Sequence, residues 1–180
     1  EYVMEELRRL EPKAAAGRVV VAHLGIAASM AAVRGGVGVD TTMGFSALDG
    51  LVMATRPGLL DPGILLYLLK EEGLSADRIE DLLYHRSGLL GLSDLTGDIR
   101  DLAERDEPRA REAIDLFAQR IARETAAMVN TLGGLDAMVF TGGIGEHSPL
   151  VRRLVCERLE WLGVRLDGKA NEAQADAIDA

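Results

Sequence analysis

Residues 17–29 read GRVVVAHLGIAAS, and this stretch decides how the rest of the chain is interpreted. The apolar run after Arg18 predicts a buried strand, which passes directly into a turn of glycine and other small residues. His23 stands at the junction. Because a turn without bulky side chains lets backbone N–H groups close around an anion, the stretch predicts a strand that ends at a phosphate-binding turn.

Three short strands are predicted in the first quarter of the chain. They read RVVVAHL, ASMAAVR and VGVDTTMGF, at residues 18–24, 28–34 and 37–45. The pair Gly35-Gly36 between the second and third is a hairpin signal, so we expect an antiparallel three-stranded meander. The residues before it, EYVMEELRRL, have the spacing of an amphipathic helix.

Helical spacing replaces the strand pattern from residue 61 onward. Asp61 and Pro62 are typical of a helix start, and Gly73 is expected to end that helix. Ser75 is predicted to cap a second helix. Residues 85–102 are rich in Gly, Ser and Asp and interrupt the periodicity, which favours a loop with at most a short turn.

A long helix and a second strand–turn–helix segment follow. Pro108 starts the helix, one apolar face continues to Leu132, and Gly133-Gly134 stops it. The run DAMVFT, 136–141, predicts a strand, and the glycine-rich turn GGIGEH leads into a helix capped by Ser148. Residues 167–180 contain few large hydrophobic side chains and are therefore expected to fray.

The amino-acid composition argues against a nucleic-acid-binding protein and against a membrane-spanning one. The 180 residues carry a net charge of −9, which would repel a polynucleotide, so no nucleic-acid partner is expected. Hydrophobic residues make up 48% of the chain, but no apolar run approaches the roughly 20 residues of a membrane span. Cys156 is the single cysteine and is interpreted as a buried small hydrophobe. A single domain over residues 1–180 and a cytoplasmic location are therefore expected.

The second glycine turn is ambiguous when it is considered alone. Gly142-Gly143-Ile144-Gly145 precedes a helix, whose partial positive charge favours phosphate by roughly 0.3–1 kcal/mol. Glycine at such a turn is as often there for close packing alone. The chain lacks a Walker loop, its glycine spacing does not match the dinucleotide fingerprint, and its three histidines are not spaced as a helical metal pair.

Three charged residues lie in predicted loops. Arg56, in MATRPGLLDPG, is compatible with a solvated charge or, beside phosphate-binding turns, with a cation that stabilises a transferring phosphoryl group. Asp98 and Arg100, in GDIRD, are most simply interpreted as an ordinary ion pair.

Together these segments resemble the C-terminal half of an acetate kinase, within the acetate and propionate kinase family of the actin-like ATPase fold. HLGIAAS resembles the family's His-Leu-Gly-Asn-Gly-Ala-Ser, and VDTTMGFSALDGLVMATRPGLLDPG resembles its run from Val-Asp-Thr-Ser-Met-Gly-Phe to Asp-Pro-Gly. SGLLGLSDLTGDIRDL and VFTGGIGEHSPLVR resemble two later family segments in the same order. The resemblance implies an α/β lobe of ribonuclease H-like topology, with the meander extended by further strands and packed with helices.

The resemblance also implies an activity and a set of site residues. The activity is reversible, ATP-dependent phosphorylation of a short-chain carboxylate to an acyl phosphate and ADP, with Mg²⁺, in a cytoplasmic homodimer. The transition-state role falls to Arg56. The nucleotide contacts that the resemblance assigns are His23, Leu24, Gly25, Ile26, Ala27, Asp98, Ile99, Arg100, Gly143, Ile144, Gly145, Glu146 and His147.

Departures from the family pattern leave two hypotheses open. Ile26 and Ala27 stand where the family has Asn and Gly, Ala47 replaces a proline of the carboxylate pocket, and His147 replaces an asparagine. The family's N-terminal lobe and its closing segment have no counterpart in residues 1–180, so the metal ligands are expected in those segments. The first hypothesis is a nucleotide-binding lobe that is active with its other half, and the second is a non-catalytic module that acts through dimerisation.

Overall fold

The computed structural model describes all 180 residues, and its sheet confirms the predicted meander. The strands are β1 (Arg18–Leu24), β2 (Ala28–Arg34), β3 (Val37–Thr41) and β4 (Ala137–Thr141). Their spatial order is β3-β2-β1-β4. β2 and β3 pair antiparallel, and β4 is the additional strand, parallel to β1. The fold is therefore α/β, with one strand brought in from more than 100 residues away.

The chain divides into two compact units. Unit 1 contains residues 1–25, 29–42 and 118–180, and unit 2 contains residues 26–28 and 43–117. The long helix α7 (Pro108–Leu132) contributes its first part to unit 2 and the remainder to unit 1. Pro108 and the Gly133-Gly134 pair bound this helix as predicted, with both glycines at positive φ.

Unit 1 is built around the sheet. Val19, Val20 and Ala22 of β1 are fully buried because helices cover this strand. Besides the C-terminal part of α7, the helices of unit 1 are α1 (Tyr2–Leu10), α2 (Pro12–Ala15), α8 (Gly142–His147), α9 (Pro149–Glu157), a short 3₁₀ turn (Glu160–Leu162) and α10 (Gly168–Glu172).

Unit 2 is helical. Its helices besides the start of α7 are α3 (Pro62–Lys70), α4 (Ala76–His85), α5 (Gly88–Ser93) and α6 (Ile99–Ala103). The predicted caps are confirmed, since Asp61 accepts from the Gly63 N–H and Ser75 from the Arg78 N–H. α3 contains no fully buried residue, although it consists largely of apolar side chains.

Two predictions about local structure were wrong. Residues 85–102 hold α5 and α6 rather than a loop, because tertiary burial of Leu89, Ile99 and Leu102 outweighs the glycines of this segment. Residues 167–180 do not fray, since α10 forms there and Leu166 bridges Asp179. α3 ends at Lys70, and Gly73 follows shortly after it at φ +63°, as predicted for a glycine that terminates a helix.

A third difference concerns β3, which stops at Thr41 instead of continuing to Phe45. All five residues of β3 are exposed, and Phe45 beyond it is fully exposed. Side-chain burial therefore gives the chain no reason to extend the strand. No helix anywhere in the structure is both long and apolar enough to cross a bilayer.

Candidate functional site

The two glycine-rich segments lie side by side in unit 1. β1 and β4 run parallel in register, so His23 is opposite Thr141 and both strands end at the same edge of the sheet. β1 ends with Leu24 and is followed by Gly25, and the segment after β4 carries Gly142 to His147. The helix that carries Gly143, Ile144, Gly145, Glu146 and His147 thus packs against β1, whose last residues are His23 and Leu24.

The three glycines after β4 differ in how closely other atoms surround them. Gly142 has φ +81°, and a β-carbon there would lie 2.6 Å from the Leu24 carbonyl oxygen. At Gly145 a β-carbon would approach the backbone of Phe140 to 3.3 Å. At Gly143 it would meet nothing within 4 Å. Packing therefore explains glycine at 142 and 145, whereas the free space at Gly143 is open to a ligand.

The residues predicted to form a glycine turn instead form the short helix α8, so the surroundings of its first N–H group differ from those in an open turn. The Glu146 carboxylate accepts from the Gly142 N–H at 3.0 Å and from the Thr141 hydroxyl at 3.3 Å. The position for an anion at the Gly142 N–H is thus taken by a side chain of the same helix. The N–H groups of Gly143 and Ile144 follow in the first turn, where no intrahelical acceptor exists.

His147 at the end of α8 contacts the C-terminal segment. Its Nδ1 lies 3.1 Å from Oε1 of Gln174, which itself sits at φ +54°. The amide oxygen can only accept, so Nδ1 of His147 is the donor in this contact. This contact was not predicted, because Gln174 lies in the segment that was expected to fray.

A second group of predicted residues lies in unit 2, around Arg56. The guanidinium is 5.6 Å from the ring centroid of Tyr84, and its Nη1 is 3.5 Å from the Ala47 carbonyl oxygen. It forms no salt bridge, so its charge has no carboxylate partner. Thr55 next to it donates its hydroxyl proton to the Tyr84 carbonyl at 2.7 Å. The aromatic ring of Tyr84 therefore positions a guanidinium whose charge is not paired with a carboxylate.

The loop that carries Arg56 also contacts the turn after β1. The Ile26 carbonyl oxygen accepts from the Ala54 N–H at 3.1 Å, while the Ile26 side chain is 86% exposed. Ala27, the next residue, is also exposed. The backbone of this turn is therefore fixed, and its side chains face outward.

Asp98 and Arg100 form the ion pair that the simpler interpretation expects. Arg100 Nη2 lies 2.6 Å from Asp98 Oδ2, and the Asp98 carboxylate also accepts from the Arg100 N–H at the start of α6. These hydrogen bonds from Arg100 lower the pKa of the Asp98 carboxyl. Ile99 between them is buried, and a β-carbon at Gly97 would lie 2.7 Å from the Ala54 carbonyl oxygen. The pair is thus packed against the loop that carries Arg56.

No group of three or more His, Cys, Asp or Glu side chains is arranged to hold a metal ion. The residues that were not predicted as partners of the site are Tyr84, Arg152, Asn171 and Gln174. The only available signal for Arg152 was its place in the VFTGGIGEHSPLVR segment.

Comparison with known proteins covers the whole chain. The sequence model described as the Acetokinase family matches residues 1–180. An acetate kinase of Rhodopseudomonas palustris is 55% identical over 98% of this chain, and one of Rhizobium meliloti is 47% identical over 99%. Each match covers 45% of the relative, so the chain spans about half the length of these proteins.

Solved structures agree with the sequence matches. A propionate kinase from Francisella tularensis superposes with a TM-score of 0.93 at 37% identity, over 99% of this chain and 47% of that one. An acetate kinase from Porphyromonas gingivalis gives a TM-score of 0.92 at 34% identity, over 99% and 46% respectively. The arrangement of the strands and helices is therefore the arrangement found in these kinases.

Proposed function

The chain belongs to the acetokinase family, and from that membership we propose that it is the nucleotide-binding part of an ATP-dependent kinase for short-chain carboxylates. In the proposed reaction a carboxylate oxygen attacks the γ-phosphorus of ATP, the bond to the ADP oxygen breaks, and an acyl phosphate forms. Such a transfer needs positioned donors and cations more than covalent help from the protein. The proposed location is the cytoplasm.

The observation that carries the proposal is the juxtaposition of the two glycine-rich segments at one sheet edge. His23 lies opposite Thr141, and Gly143 offers open space beside them. Backbone N–H groups at such a place can approach phosphate oxygens without obstruction by a side chain. The proposal assigns nucleotide contacts to His23–Ala27 and to Gly143–His147.

Residues of unit 2 receive the remaining roles. Asp98, Ile99 and Arg100 are proposed to contact the nucleotide. Arg56 is proposed to stabilise the charge of the transferring phosphoryl group, because its guanidinium is held by Tyr84 and has no carboxylate partner. Mg²⁺ would arrive with the nucleotide phosphates as part of the substrate. Since this chain has no cluster able to hold the ion, no step is assigned to it.

A second candidate function is a non-catalytic module that acts through self-association. Two observations favour it: Ile26, where the family has asparagine, places an apolar side chain in solvent, and α3 exposes apolar residues along its length. A second copy of the chain is the proposed partner for α3. The exposed apolar side chains on and before this helix are Leu59, Ile64, Leu66, Tyr67 and Leu69.

Calorimetric titration with ADP and Mg²⁺ separates the two candidates. The kinase proposal expects saturable binding that Arg100→Ala weakens by about 10- to 100-fold, the value of a hydrogen bond from a charged donor. Arg109→Ala is the matched control, because Arg109 is also exposed and also paired with an aspartate of unit 2. Absence of binding at millimolar ADP would leave only the non-catalytic module. Equal losses in both variants would refute the role of Arg100.

A further inference from the structure

Arg152, in the first turn of α9, is a buried cation that forms no salt bridge. Only 3% of the residue is exposed, and none of the salt bridges includes it. Its burial lowers the pKa of the guanidinium below that of a free arginine. A buried charge is costly unless its hydrogen bonds are all made, so the acceptors around Arg152 show what the residue does.

Two of those acceptors are the last carbonyl groups of α8. Nη1 of Arg152 donates to the Gly145 oxygen at 2.8 Å and to the Glu146 oxygen at 2.7 Å. The end of a helix leaves its carbonyls unpaired and carries a partial negative charge, which a guanidinium neutralises. Arg152 therefore fixes the C-terminal end of the helix that carries Gly143 to His147.

The other acceptors belong to Asn171 in α10. Nε of Arg152 donates to Asn171 Oδ1 at 2.7 Å, and Nη2 donates to the Asn171 carbonyl oxygen at 2.8 Å. Asn171 is 1% exposed, and its own Nδ2 donates to the Pro149 carbonyl at 3.0 Å. Both ends of the amide are thus used, and each bond joins α10 to the α8–α9 corner.

The segment that contains Asn171 is itself anchored at both ends. Asp167 caps α10 by accepting from the Lys169 and Ala170 N–H groups, and its own N–H donates to the Ile178 carbonyl at 2.8 Å. Gln174 then meets His147 at 3.1 Å. Residues 166–179 consequently hold α8 at two places, through Arg152 and through His147.

We propose that Arg152 and Asn171 are positioning residues that fix the orientation of α8 and thereby set nucleotide affinity without touching the nucleotide. The part of this inference that concerns nucleotide affinity rests on the proposed function. It assigns a role to the C-terminal segment that neither its composition nor its exposure indicates. In metal sites, residues that orient the ligands without binding the metal change its affinity by about 10- to 100-fold when they are mutated, and Arg152 and Asn171 are the analogous residues here.

The test uses Asn171→Ala in the full 180-residue chain, with two readouts. The first is amide hydrogen exchange of residues 142–147, compared with that of β1 and α7. The second is the ADP dissociation constant from calorimetry. We expect α8 to exchange faster while β1 and α7 stay protected, and ADP affinity to fall about tenfold. Arg153→Ala is the matched control, since Arg153 neighbours Arg152 but pairs at the surface with Glu157.

Two further variants keep the test decisive. Asn171→Asp restores an oxygen acceptor for Nε of Arg152 and should recover most of the lost ADP affinity, which a general loss of stability would not predict. Arg152→Lys keeps the charge but not the forked geometry, and should fall between the wild type and Asn171→Ala. Unchanged exchange at residues 142–147, or faster exchange with unchanged ADP affinity, would overturn the proposal. If the wild-type chain fails to bind ADP, the proposed function falls, and exchange at α8 alone decides the positioning role.

Discussion

Alanine at Gly142 and alanine at Gly143 should have opposite effects on stability, although the two residues are neighbours. Gly142 is at φ +81°, a conformation that costs a residue with a β-carbon about 1–2 kcal/mol. The added methyl group would also lie 2.6 Å from the Leu24 oxygen, an overlap that costs about 1–3 kcal/mol to relieve. We therefore expect Gly142→Ala to lower the free energy of unfolding by about 3 kcal/mol.

Gly143→Ala meets no neighbour within 4 Å and lies inside α8, where alanine is better than glycine by about 0.5–1 kcal/mol. Urea unfolding followed by circular dichroism at the helical band measures both changes. If Gly143 faces the nucleotide, its alanine variant should be slightly more stable and yet bind ADP more weakly. A Gly142→Ala midpoint equal to that of the wild type would refute the close approach of β1 and α8. A Gly143→Ala protein with full ADP affinity would refute ligand contact at that position.

Three other predictions test separate features. The hydrogen bonds from Arg18 lower the pKa of Asp136 to about 2. The carboxylate therefore stabilises the fold above its unfolded pKa, and this stabilisation is lost as the pH falls from about 4 to 2. In Asp136→Asn, the urea midpoint should decrease less over this pH range than it does in the wild type. The double change Ile26→Asn with Ala27→Gly restores an amide and removes a β-carbon, and should tighten ADP binding by about 3- to 10-fold in calorimetry. Burial raises the pKa of the Cys156 thiol to about 11, so alkylation by iodoacetamide at pH 8 should be detected by mass spectrometry only after denaturant is added.

The parts of the fold that sequence reasoning predicted are those with local causes. α7 was predicted at both ends because proline, a 3.6-residue apolar period and a glycine pair are all read from neighbouring residues. β1 and β2 follow from apolar runs flanked by turn residues. The parallel pairing of β1 with β4 has no local signal, since the partners are separated by α7 and all of unit 2.

The same distinction applies to the candidate site. The turn after β1 and the segment after β4 could be identified from glycine content and from the family resemblance. The contact between Arg56 and Tyr84 could not, because it depends on how α4 packs against a loop 28 residues earlier in the chain. α5 and α6 were missed for a related reason, since their helicity depends on the burial of Leu89 and Leu102 and not on favourable local propensity.

During synthesis β1 is translated well before β4, the strand that pairs with it in parallel. Leu24 ends β1 and Ala137 begins β4, so the 112 residues from 25 to 136 must be translated between them. At 5–20 residues per second that interval lasts roughly 6–20 s. Throughout it, one side of β1 presents unpaired main-chain groups on the ribosome, which is the kind of edge that attracts another strand. The nascent chain is consequently most exposed to misassociation before Thr141 emerges, and chaperone capture would be of most use in that interval.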